Sequence, residues 1–142
     1  MSDHPVKFGV SLHRIELHAG PLPDEDHFQW SLWTQAGAGD SVLVWGYVRR
    51  GAQTGFGQAQ SFGVVLDRTW TEISASEESR AEFSEWVAAY ASELLWDAAR
   101  RALQAQAALM DFQFDLDVLA PPVELEFRAE LESPSVAADA RR

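Results

Sequence analysis

The chain contains no cysteine, so disulfides, thiolate metal sites and cysteine nucleophiles are excluded. It is also short of basic residues: 11 Lys and Arg stand against 22 Asp and Glu, a net charge of −11. Nucleic acid and anionic membranes need clustered cations to neutralise phosphate, and neither is an expected partner. No apolar run approaches the ~18 residues that a membrane helix requires, so membrane insertion is not expected. The opening Met-Ser-Asp-His-Pro lacks the basic-then-apolar order of a signal peptide, which makes the cytoplasm the default expectation.

What is present suits one domain. The 142 residues are 46% hydrophobic, enough to build a core. Four strand-like runs fill the first half. In Phe8–Leu17 the apolar residues Phe8, Val10 and Leu12 alternate, and Ile15 and Leu17 continue on the opposite parity. A shift of phase near His13-Arg14 suggests a bulge or a change of face. In Phe28–Thr34, Phe28, Trp30 and Leu32 share one face. In Ser41–Arg49, Leu43, Trp45 and Tyr47 alternate with Val42, Val44 and Val48, so both faces are apolar, as in a central strand. The fourth run is read over Gln58–Ile73, with Phe62, Val64, Leu66 and Trp70 on one parity. Short connections make the pairing antiparallel, as a meander or Greek key.

A helix is expected over Ser76–Met110. Ser74 and Glu77 have capping-box spacing, and Glu77 and Glu78 suit the positive helix end. Phe83, Trp86, Val87, Tyr90, Leu94 and Ala98 fall on one stripe at constant helical pitch, while Trp96, Arg100 and Leu103 lie together on another side; a break near Ala91-Ser92 stays open, although no Gly or Pro forces one. Two apolar faces on one helix imply surface that a monomer leaves uncovered. Residues 112–118 turn extended again. Val123, Leu125 and Phe127 alternate with Glu124, Glu126 and Arg128, a pattern open to a strand or a short second helix over 123–131. The fold expected is α+β: a four-stranded antiparallel sheet covered by one long helix. A single domain spans 1–132, followed by a small, polar tail over 133–142.

Polar chemistry gives little. His4, His13, His18 and His27 all lie in or beside the first strand region, and His13 and His18 differ in strand parity unless a bulge intervenes. A zinc site needs three or four convergent ligands, so exposed strand-edge histidines are the reading adopted. The pairs Asp24/Asp26 and Asp115/Asp117 read as turns and solvated strand faces. Ser61 and Ser92 lack a nucleophile elbow, and the glycines at 37–39 and 51–57 lack a phosphate-binding lysine. No enzyme activity, metal or cofactor is expected.

Aromatic content is the stronger signal, with six Trp and eight Phe. Trp30 and Trp33 face opposite sides of one strand, so at least one aromatic meets something other than its own core. The candidate contact residues are Trp30, Trp33, Trp45, Phe62, Trp70 and Phe114. Trp96, Arg100 and Leu103 form the candidate oligomer contact, since Trp, Arg and Leu suit a partly buried interface.

Three segments carry a resemblance to a known family. Phe8-Gly9-Val10 through Arg14-Ile15 is similar to the opening strand of the SecB protein-export chaperones. Leu94-Leu95-Trp96-Asp97-Ala98-Ala99-Arg100-Arg101 is similar to their helix. Phe112 to Leu116 followed by Leu119-Ala120-Pro121 is similar to the segment after it. The likeness is one of layout over about residues 6–127. It implies a homotetramer built as a dimer of dimers, and an ATP-independent holdase with apolar grooves for unfolded or nascent polypeptides, for which Trp30, Trp33, Trp45, Phe62, Trp70 and Phe114 are the client-binding candidates. The chain departs from that family where Leu17, His18 and Ala19 replace the acidic cluster that docks the export motor. It also has no glycine at the helix end near Met110, and Val123–Phe127 fits a strand better than the family's second helix. Protein export and service to a dedicated client such as an antitoxin are both open roles. The rival readings are a small apolar-ligand carrier or enzyme, with a pocket between helix and sheet lined by Trp70, Trp86 and Tyr90, and a structural or regulatory partner protein.

Overall fold

The computed structural model describes residues 8–19, 27–52, 55–110 and 114–128. His4, the Asp24/Asp26 pair and the 133–142 tail lie outside the described residues. Five strands form one mixed sheet: β1 (Phe8–Ala19), β2 (Phe28–Ala36), β3 (Val42–Ala52), β4 (Gly55–Val65) and β5 (Leu125–Phe127). Their order is β1-β4-β3-β2-β5. The first four pair antiparallel in Greek-key order, and β5 adds parallel to β2 through Leu32 opposite Leu125 and Thr34 opposite Phe127. The sheet is therefore larger by one parallel strand than the sequence suggested.

The bulge in β1 lies where the phase shift placed it, between Leu12 and Arg14. Phe8, Val10 and Leu12 oppose Val65, Gly63 and Ser61, and after the bulge Ile15 and Leu17 oppose Ala59 and Gly57. The extra residue keeps every apolar side chain of β1 on the same face as the buried residues of β4.

The fourth strand ends at Val65, well short of Ile73. Trp70–Ser74 is a short helix, α1, capped by Thr69 and Glu72 in a reciprocal capping box. The long helix follows as α2 (Glu77–Trp86), a π turn (Val87–Ala91) and α3 (Ser92–Leu109). Its N-cap is Ser76, whose hydroxyl accepts from the Ser79 N–H; Ser74 instead donates its hydroxyl to the Trp70 carbonyl.

The π turn resolves the two apolar faces. Phe83 and Trp86 before it and Val87 at its start are buried; from Ala91 at its end, Leu95, Ala99, Leu103 and Ala107 continue at a spacing of four, joined by Trp96. One extra residue in the turn rotates the phase by about 100° and turns Tyr90 and Leu94 outward, where they are 64% and 50% exposed. Trp96 and Leu103 are fully buried in the subunit's own core, and Arg100 is held by Asp97 at 2.7 Å. The oligomer contact expected at Trp96, Arg100 and Leu103 is therefore corrected at Trp96 and Leu103, which belong to the core, while Arg100 bonds Asp97 and Gln104 of its own helix.

Side chains of helix and sheet pack together in one core between the two layers. Trp96 meets Trp30 edge to face at 5.0 Å, and its indole N–H donates to the Asp117 carbonyl at 2.9 Å. A Cβ at Gly46 would lie 2.6 Å from Trp30 and 3.1 Å from Leu95, so a glycine there lets the helix sit close to β3. Ser61 bonds the Leu95 carbonyl at 2.8 Å from within the sheet. The Glu93 carboxylate accepts the Ala120 N–H at 3.1 Å and, with Trp96, ties down the segment that carries buried Phe114 and Leu116.

Candidate interaction surface

The helix covers one face of the sheet. On β2, β3 and β4, alternate residues are buried beneath it, and their neighbours on the opposite face remain half-exposed. Three aromatic side chains lie in register on that opposite face. Trp33 stands directly across from Trp45, and Trp45 directly across from Phe62. The Trp33 and Trp45 rings form an offset stack at 6.1 Å with planes 8° apart, and Trp45 and Phe62 are 5.0 Å apart at 31°.

Both ends of this row are closed. The Arg128 guanidinium, just past β5, lies 4.3 Å from the Trp33 ring centre on the side away from Trp45. His13, in the β1 bulge, meets Trp45 and Phe62 edge to face at 5.2 and 6.1 Å. The π faces of Trp33 and Trp45 are thus occupied by neighbouring groups. Ligands that bind by laying a flat ring or a sugar on an aromatic face find those faces taken. What the row offers is ring edges, beside half-buried Leu43 and Val64, which gain by plain apolar burial.

Further along the strands the same face becomes polar. The Tyr47 hydroxyl donates to Gln58 Oε1 at 2.6 Å, and Gln58 Nε2 donates to Glu16 Oε2 at 2.6 Å, a relay across β3, β4 and β1. Glu16 also meets Arg14 and His18. Hydrogen bonds from His18, then Arg14 and Gln58, hold the Glu16 carboxyl below its ordinary range. Burial first, with Glu16 adding, raises the Tyr47 phenol above its ordinary value. His18 stacks on Phe56 at 4.5 Å, and Arg49 lies over the same ring at 4.5 Å. The β1 bulge brings His13 and His18 to one face after all.

Of the six client-binding candidates, Trp33, Trp45 and Phe62 are brought together here. Trp30 and Phe114 are 6% exposed and belong to the core, which corrects their expected role. Trp70 is half-buried at the start of α1 against Phe127, away from the row. Trp86 is buried against Phe83 while Tyr90 is exposed, so these two do not line one pocket with Trp70. Arg128, His13 and Arg49 were missed as parts of the surface; β-sheet register, which brings them beside the rings, leaves no local signal. Among the described residues no group of three or more His, Asp or Glu converges on a metal-sized site, and no helix is long and apolar enough to cross a membrane. Comparison with family models, curated proteins and solved structures returns no match to this chain.

Proposed function

We propose that this chain is a non-enzymatic, SecB-like holdase that binds unfolded or nascent polypeptides on the half-exposed face of its sheet. The observation that carries this reading is the Trp33–Trp45–Phe62 row, whose mutual stacking leaves a strip of ring edges and aliphatic neighbours. Such a strip favours any exposed apolar segment and imposes little sequence preference. The layout described above, a Greek-key sheet backed by one long helix, supports the family-level likeness. Strand β1 lies at the sheet edge, and its outer backbone groups suit pairing with β1 of a second copy, so a homodimer or a tetramer of two such dimers is part of the proposal. Work in the cytoplasm, in protein export or for a dedicated client such as an antitoxin, is the biological setting proposed.

The test is light scattering after size exclusion, with and without a reduced, unfolded test protein. The expected result is a dimer or tetramer that co-elutes with the unfolded but not the native test protein and slows its aggregation without ATP. A monomer that ignores unfolded chains would overturn the reading.

A further inference from the structure

Charge is distributed unevenly over the molecule. The helices from Trp70 to Leu109 carry seven carboxylates, at Glu72, Glu77, Glu78, Glu82, Glu85, Glu93 and Asp97, against Arg80, Arg100 and Arg101. The open sheet face carries Arg14, Arg49 and Arg128 against Glu16 and Glu126. Among the described residues of this face the charges nearly balance, in a chain with net charge −11.

The three arginines differ in what they hold. Arg14 is paired with Glu16, and Arg128 with Glu126 at 3.0 Å. Arg49 has no carboxylate within ion-pair distance among the described residues; its guanidinium lies on Phe56, and its Nε is buried without a hydrogen-bond partner. A half-buried guanidinium without a counter-charge favours a carboxylate brought in by a partner. Trp45 and Arg49 lie four residues apart on the same face of β3, about 13 Å along the strand.

We infer that this face selects extended polypeptide segments of acidic and apolar character. An aliphatic or aromatic side chain lies over the Trp33–Trp45–Phe62 row, and a carboxylate about four residues further along meets Arg49. The inference rests on the proposed polypeptide-binding role and adds to it a charge preference that apolar burial alone does not produce. At physiological ionic strength the Debye length is about 8 Å, so the carboxylates of the helical side are largely screened at the opposite face of the sheet.

The experiment uses three dye-labelled peptides of about twelve residues, long enough to span a strand of this sheet. They share their Leu and Phe positions and differ only in carrying Glu, Gln or Lys four residues beyond. Binding is followed by fluorescence anisotropy at low and high salt, with the wild type and with Arg49→Gln. The Glu peptide is expected to bind about five- to tenfold tighter than the Lys peptide at low salt, and the ratio to shrink at high salt. In Arg49→Gln the ratio of Glu-peptide to Lys-peptide affinity is expected to fall close to unity. Equal binding of all three peptides to the wild type overturns the charge preference and leaves the polypeptide-binding role standing. Absence of binding by any peptide, together with no effect on unfolded-protein aggregation, overturns both. Salt-sensitive self-association lost in Arg49→Gln, without peptide binding, overturns the inference in favour of a second copy as occupant. The salt dependence in the wild type decides the matter even where the variant fails to fold.

Discussion

The indole of Trp33 lies between the Trp45 ring at 6.1 Å and the Arg128 guanidinium at 4.3 Å. Each contact is modest for stability, because the pair is half-exposed. Replacing Trp33 by Ala is expected to cost about 1 kcal/mol in urea unfolding, the scale of one aromatic pair. The same change is expected to weaken suppression of unfolded-protein aggregation several-fold. A variant that loses stability but keeps full suppression would place client binding elsewhere.

Trp96 behaves oppositely. It is fully buried, meets Trp30 and anchors the segment after the helix through the Asp117 carbonyl. Trp96→Ala is expected to destabilise the fold by about 3–5 kcal/mol, from cavity and lost packing together. Leu94→Ala, on the outward side of the helix, is expected to change stability by less than about 1 kcal/mol. Urea melts of the two variants check the inward and outward assignments; comparable losses would contradict the π-turn phasing.

Tyr47 gives a prediction in pH. Its phenol is raised above the ordinary 10.0, chiefly by burial. A raised folded-state value means that the folded chain holds this proton more tightly than the unfolded chain. The associated stability is complete below about pH 10 and is lost as pH rises through the folded value. Ultraviolet titration of tyrosinate is expected to show one phenol ionising late, and Tyr47→Phe is expected to remove that component. The variant also loses the bond to Gln58, so its stability deficit at neutral pH is expected to narrow above pH 10. A late component that survives in Tyr47→Phe would refute the assignment.

Much of the sheet was legible because alternation is a local signal. The apolar residues on both faces of Val42–Val48 marked β3 as central, and the parity change at His13 located the bulge. Two features were hidden by local patterns that pointed elsewhere. Phe62, Val64 and Leu66 extended the fourth strand by parity, although Thr69 and Glu72 already had the spacing of a helix cap. A break near Ala91-Ser92 stayed open, but the stripes were drawn at a constant pitch because no glycine or proline marks the π turn, so Leu103 was assigned to the wrong side. For the surface, the sequence showed that Trp30 and Trp33 face apart but not which of them the helix covers. That depends on the long-range docking of Leu95 over Gly46 and of Trp96 against Trp30.

The π turn also gives the helix a tolerance of chain length that composition does not reveal. Because the turn holds one extra residue, removing any one residue of Val87–Ala91 would restore an uninterrupted helix and leave every later side chain on the face it now occupies. Closing the turn as regular α-helix with all its residues kept would do the opposite: Leu94 would move over the sheet, and Leu95 and Trp96 would swing toward water. The surplus residue is thus one the fold can lose, whereas the widened turn around it is not.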